Sequence, residues 1–254
     1  MKEHKQRVAA RFGAAAARYD SASELQRQAA QRLAARVRAL PLPPAPRVLE
    51  IGCGTGHLTR ELLPHLGGTW VISDMALPMV RTCRQQSAAL AQCVVMDCEH
   101  PAFRPGSFDL IVSSLTAQWF VDLRATFAAL ADLLAPGGRI VLATLGADTF
   151  AEWRHAHHAL GLDAATPEYP EASALMGAFP AALHTDVATE RIVVPCGDPL
   201  AFVRGLRAIG ADTPRPGVRP LSAGQLRKVL RALTANDSPQ MTYELLYAVA
   251  ERSA

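Results

Sequence analysis

The segment RVLEIGCGTGHLTREL, residues 47–62, constrains the fold more than any other part of the 254-residue chain. A short apolar run, Arg47–Ile51, carries an acid at Glu50, and glycines follow at 52, 54 and 56 before a helical pattern begins. Glycine permits positive φ and lets a ligand approach the backbone with no Cβ in the way. The helix that follows presents unpaired amide hydrogens at its start. Further apolar runs at Thr69–Ser73, Gln92–Met96, Phe108–Ser113 and Arg139–Leu145 alternate with helical stretches at 57–66, Met75–Ala89 and 122–134. The fifth run is entered through APGG, read as a turn. Compact apolar strands spaced by helices indicate a mostly parallel sheet covered on both faces. The expected class is α/β, a doubly wound Rossmann-like sheet.

Two helices precede this core, over 4–18 and 21–40, the second with Leu25, Ala29, Leu33, Val37 and Leu40 at helical spacing. PLPPAPR (41–47) stops it, because proline lacks the amide donor. After Leu145 the rhythm breaks. A helix at 148–160, a loop with three prolines at 161–183, a strand at Val187–Val194 and a helix at Pro199–Ile209 are expected. A proline-rich loop at 211–220, a helix at 222–233 and a strand at Met241–Ala250 complete a seven-stranded reading. The helices after the fifth strand read as a lid insertion.

Two ligand classes compete for the glycine turn. A dinucleotide site wants G-x-G-x-x-G with pyrophosphate on the helix end. Here the glycines run G-x-G-x-G, His57 follows, and Glu50 would repel a phosphate. A carboxylate there attracts an ammonium group, so the expected ligand is a nucleoside bearing an amino-acid tail. Asp74 ends the second strand 22 residues after Gly52, near the interval at which an acid meets a ribose hydroxyl pair. Asp97 ends the third strand, where it could read an adenine edge or only cap the next helix. Ser113 and Ser114 end the fourth and would line the cleft floor.

Charge adds a partner. The net charge of +3 hides an acidic body, residues 41–198 at −7, between two basic flanks at +6, residues 1–40 and 199–231. Something anionic is expected on the flanks if they meet. Nucleic acid is not expected, because the basic segments carry few aromatics for base stacking. No apolar run approaches the roughly 20 residues of a membrane span. The first residues, MKEHKQRVAARFG, lack the apolar region of a signal peptide, and five unpaired-looking cysteines point to a reducing, cytoplasmic setting. His155 and His158 have metal-ligand spacing without a third ligand, so no metal is expected.

EIGCGTG, Asp74, MDCE (96–99) and FDLIVSS (108–114) closely resemble the S-adenosylmethionine-dependent methyltransferases of the Rossmann-like class. The resemblance implies that Glu50 and the glycines surround the methionine part, Asp74 the ribose, and Asp97 with Cys98 the adenine. The cofactor candidates are therefore Glu50, Gly52, Cys53, Gly54, Gly56, Asp74, Met75, Met79, Asp97, Cys98 and Ser113. Cys53 reads as a small filler within this set.

RFGAAAARYDSASELQRQAAQRL, SSLTAQW, TLGADTFAEW, LRAIGA and MTYELLYAVA together resemble the malonyl-acyl-carrier-protein O-methyltransferase family, which opens pimelate assembly in biotin synthesis. The organisation expected is a single domain, 1–254. It comprises a helical cap (1–44), a cofactor-binding core (45–145), a lid and substrate region (146–240) and a final strand (241–254). The implied reaction is attack of a malonyl thioester carboxylate on the sulfonium methyl of S-adenosylmethionine, with acyl carrier protein as partner. A methyltransferase of a free small carboxylic acid and a non-catalytic cofactor-binding assembly factor are the alternatives. Tyr19, Gln118 and Arg204 are the candidates for holding the reacting carboxylate; Trp119 and Tyr243 read as packing residues.

Overall fold

A computed structural model describes residues 2–86, 91–215, 217–219, 221–234 and 239–253. Its strands are β1 (Arg47–Ile51), β2 (Thr69–Asp74), β3 (Gln92–Val95), β4 (Phe108–Ser114), β5 (Leu134–Leu145), β6 (Leu183–Pro195) and β7 (Gln240–Arg252). Its helices are α1 (Lys2–Ala15), α2 (Glu24–Arg38), α3 (His57–Leu62), α4 (Leu77–Gln86), α5 (Leu123–Asp132), α6 (Ala151–His158), α7 (Ala172–Met176), α8 (Pro199–Ala208) and α9 (Ala223–Thr234). One seven-stranded sheet runs β3-β2-β1-β4-β5-β7-β6. β1 to β5 pair in parallel, and β7 lies antiparallel between β5 and β6. The order reverses between β1 and β4, so the crevice for a ligand opens beyond their carboxyl ends.

The alternation of β1 explains why helices cover both faces. Val48 joins one apolar layer with Leu110, Val112 and the α2 residues Leu33 and Val37. Leu49 and Ile51 point to the other layer, with Ile111, Ile140 and the α5 residues Phe127 and Leu130. Asp122 starts α5 by accepting the Ala125 amide at 3.0 Å. Truncating Leu33 or Phe127, both fully buried, to alanine would cost about 2–5 kcal/mol.

Three differences from the sequence reading have physical causes. APGG is not a turn before β5 but part of it: the pairing with β4 slips between Phe108 and Leu110, a bulge that Gly137 at φ +71° accommodates. α7 lies in the stretch read as loop, since five residues are too few to show a helical period. β6 starts at Leu183; its mostly exposed pattern hides a strand whose first residues alternate weakly. The end of the expected 75–89 helix, positions 87–89, lies outside the described residues.

The N-terminal helix α1 meets the segment that follows α8. Gly210, at φ +78°, packs so closely on α1 that a Cβ there would lie 2.6 Å from the Arg11 carbonyl oxygen. Tyr19, Ala16, Met79 and Ile209 form a small core beside it. No helix among the described residues is long and apolar enough to cross a membrane.

Candidate functional site

Two adjoining cavities occupy the crevice. The first lies over the glycine turn. Glu50 is 1% exposed, and Thr59 Oγ1 donates to its Oε2 at 2.7 Å. Burial pushes its carboxyl pKa up to about 8, because an isolated buried charge lacks solvation. Asp74 accepts the Gly54 amide at 3.0 Å and the Ala76 amide at 2.8 Å, which fixes the turn, while burial raises its pKa.

Each glycine has its own reason. A Cβ at Gly52 would sit 2.1 Å from Thr116 Oγ1. At Gly56, the left-handed residue that starts α3, it would meet Cys83 Sγ at 2.9 Å. At Gly54, also left-handed, it would meet no protein atom within 4 Å. The backbone at Gly54 is therefore bare for a ligand and not for packing.

Most cofactor candidates converge here. Glu50, Gly52, Cys53, Gly54, Asp74, Met75, Met79, Asp97 and Cys98 line the cavity. Two do not. Gly56 serves the geometry of the turn. Ser113 donates its hydroxyl to the Ile51 carbonyl at 3.1 Å and is buried between strands, whereas its neighbour Ser114 lines the cavity. A hydrogen bond with Cys83, added to burial, raises the Cys53 thiol, and burial raises Cys98 to about 12, so both stay neutral. His157, between the two spaced histidines, packs 4.4 Å from the Trp153 ring and shares a hydrogen bond with the Trp153 carbonyl. No group of three metal-ligating side chains occurs among the described residues.

The fourth wall was not expected. Lys5, Val8, Ala9 and Phe12 of α1 close the cavity. Lys5 Nζ donates to both Asp97 oxygens, at 2.7 and 2.6 Å, and lies 3.0 Å from Glu99 Oε1. Burial opposes the lysine charge, but these two carboxylates outweigh it and its pKa rises. Asp97 thus ties down α1 at the end where an adenine edge was expected to meet it. At the other end, Thr55 Oγ1 donates to Asp20 at 2.5 Å. Arg60 can only donate, so His57 Nδ1 accepts at 2.8 Å and the proton resides on Nε2, 2.8 Å from Ser23 Oγ. These bonds clamp the Tyr19–Ser21 turn onto the glycine turn.

The residues fit the methyl donor implied by the sequence. A buried carboxylate suits the ammonium group of an amino-acid tail, the bare Gly54 backbone suits close approach, and Met75, Met79 and Cys98 offer apolar walls for a base.

The second cavity shares Phe12, Tyr19, Gln26, Leu115 and Trp119 with the first. Gln118 lines it, with Nε2 donating to the Leu115 carbonyl at 2.7 Å and Oε1 accepting from Thr144 at 3.1 Å. Leu115 and Phe150 carry the left-handed values φ +53° and +59°, and both line this cavity. Non-glycine residues held in that region mark sites whose surroundings over-determine them. Tyr19 is buried between the two cavities, and burial, with Asp74 and Asp20 nearby, raises its phenol pKa. Arg204 is a correction: its residue is exposed, and α8 turns Phe202, Gly205 and Leu206 to the cavity instead. Trp119 and Tyr243, read as packing residues, both line it.

The family model described as a methyltransferase domain matches residues 49–142. The chain is 47% identical to the biotin biosynthesis bifunctional protein BioCD of Bordetella avium over 94% of its own length, spanning 51% of that protein. It is 39% identical to the malonyl-[acyl-carrier protein] O-methyltransferase of Magnetococcus marinus, over 97% of this chain and 93% of the relative. Among solved structures, the YcgJ protein of Bacillus subtilis superposes with a TM-score of 0.65 at 17% identity, covering 87% of this chain and 98% of that one.

Proposed function

Because this chain belongs to the malonyl-[acyl-carrier protein] O-methyltransferase family, we propose that it methylates the free carboxylate of a malonyl thioester carried by acyl carrier protein. The methyl ester formed would enter pimeloyl assembly in biotin synthesis. The observation that carries this reading is the junction of the two cavities: a buried acid under a bare glycine turn on one side, and an apolar, aromatic chamber on the other.

Bound S-adenosylmethionine supplies an electrophilic methyl group on a sulfonium. The chain does the rest by placement. Glu50 offsets the positive charge of the donor's amino-acid tail, and Asp74 lies where the ribose is expected. Phe12, Tyr19, Leu115 and Trp119 form the common wall, through which the two reactants must face each other. Orientation of this kind can supply on the order of 7–11 kcal/mol. A carboxylic acid of pKa near 4 is already ionised at neutral pH, so no general base is needed. The aromatic walls keep water from the reacting pair.

The basic flanks support the partner. Arg11 of α1 and Arg207 of α8 lie 3.9 and 3.8 Å from the same carboxylate, Asp212, and Arg18 Nε donates to the Ala208 carbonyl at 3.3 Å. The two arginine-rich segments therefore form one surface beside the second cavity, suited to an acidic carrier protein.

The test is methyl transfer from labelled S-adenosylmethionine to malonyl-carrier protein, malonyl-coenzyme A and free malonate. Preferential labelling of the carrier-protein thioester is expected. Equal labelling of malonate would make the chain a small-acid methyltransferase, and no labelling with cofactor still bound would make it a non-catalytic factor.

A further inference from the structure

Among the described residues, the second cavity has no lysine or arginine in its lining. An anionic substrate entering it must be held by neutral donors, and most of those present are taken. The Gln118 amide serves Leu115, and the Gln28 amide donates to Glu24 at 2.7 Å. Gln26, Tyr19 and Trp119 are shared with the cofactor cavity, and the Cys196 thiol is only a weak donor. That leaves two phenols exclusive to the second cavity, Tyr169 and Tyr243. Neither hydroxyl has a hydrogen-bond partner among the described residues.

Both rings stand edge-on to Phe150, Tyr243 at 4.9 Å and Tyr169 at 6.2 Å between centroids. Phe150 is anchored in its left-handed conformation by its amide, which donates to the Thr242 carbonyl at 2.7 Å. One strained residue thus sets the spacing of the two phenols. Arg154, the cation that acts on Tyr169, is turned to the carbonyl oxygens of Ala147 and Thr149. Burial pushes the Tyr243 phenol up to about 12 and raises Tyr169, so both remain protonated donors at neutral pH.

We propose that Tyr169 and Tyr243 are the residues that recognise the free carboxylate of the acyl substrate, each by one neutral hydrogen bond. This rests on the methyltransferase reading and deepens it. The chemistry favours phenols over a guanidinium. A bidentate arginine would engage both carboxylate oxygens and stabilise the anion that must attack. Two single donors hold the anion while leaving it lone pairs for the methyl carbon. The methyl ester no longer carries the charge that the donors read, so product binds more weakly than substrate.

The test uses Tyr169→Phe, Tyr243→Phe and the double variant in the whole chain, measuring binding with S-adenosylhomocysteine loaded and turnover separately with S-adenosylmethionine. The probes are malonyl-carrier protein and butyryl-carrier protein, similar in size without the free carboxylate. Each substitution is expected to weaken malonyl binding about tenfold, the effect of one hydrogen bond to a charged group. Butyryl binding, cofactor affinity and thermal midpoint should stay unchanged, because the hydroxyls have no hydrogen-bond partner among the described residues. An unchanged malonyl-over-butyryl preference overturns the proposal, as does a loss shared equally by both thioesters or by cofactor. Should Tyr243→Phe unfold, Tyr169→Phe decides. A wild-type protein that prefers the malonyl thioester yet transfers no methyl group would refute the enzymatic reading while leaving this assignment standing.

Discussion

Lys5 and Asp97 are 92 residues apart in the chain, yet Lys5 Nζ contacts both oxygens of the Asp97 carboxylate. The pair fastens α1 across the cofactor cavity, whose other rim is the glycine turn. Since α1 also contributes Phe12 to both cavities, the docked helix is expected to slow the exchange of both reactants.

Lys5→Ala should therefore loosen the helix and weaken cofactor binding about fivefold, the scale of a partly exposed ion pair. The change should appear mainly as faster release. Stopped-flow displacement of S-adenosylhomocysteine reads it. A release rate equal to that of wild type would mean that α1 does not gate the cavity.

Glu50 makes stability depend on pH with an unusual sign. Its folded pKa, about 8, lies above the ordinary 4.5. The folded state therefore holds a proton that the unfolded state has lost, and the cofactor-free protein loses stability as pH rises from about 4.5 to 8. The size is a few kcal/mol at most. Glu50→Gln should flatten the slope over this window in denaturant titrations. Binding a cationic donor should release a proton near pH 7, seen as a buffer-dependent binding enthalpy, and the variant should release none.

The glycines separate folding from binding. Gly54→Ala should cost about 1–2 kcal/mol of stability for its left-handed backbone and still fold. Its Cβ enters space that no protein atom occupies, so cofactor affinity should fall by more than about tenfold. Gly52→Ala instead drives a methyl into Thr116 and should lower the thermal midpoint further. Calorimetry of both variants with S-adenosylhomocysteine distinguishes the two effects.

The centre of the sheet was legible because β1 and β4 are short apolar runs buried on both faces, and the glycine turn because its signal is local. Glu50, Gly54 and Asp74 fall within one strand–turn–helix–strand span. Lys5 was invisible, since nothing near it shows that α1 will cross the sheet. Tyr169 sits among prolines with no period to orient it. Ser113 and Ser114 differ by one residue, and only strand pairing decides which faces the cleft. Arg204 was legible and missed: Phe202, Gly205, Leu206 and Ile209 already follow the helical period and place it off the buried face.

The arginine surface yields the last expectation. Arg204 and Arg227 are exposed on α8 and α9, which share a small core through Phe202, Val229 and Leu233. Neither guanidinium has a partner among the described residues, so reversing their charge disturbs no contact of the fold. Paired with an acidic carrier protein, such exposed cations act chiefly on encounter rate and are screened within about 10 Å at 0.1 M salt. Arg204→Glu with Arg227→Glu should raise KM for malonyl-carrier protein about tenfold at low salt, with kcat little changed. Added salt should narrow the gap between variant and wild type. Malonyl-coenzyme A, which lacks the protein surface, should respond far less. Equal loss on both thioesters would place these arginines at the acyl chain and not at the carrier.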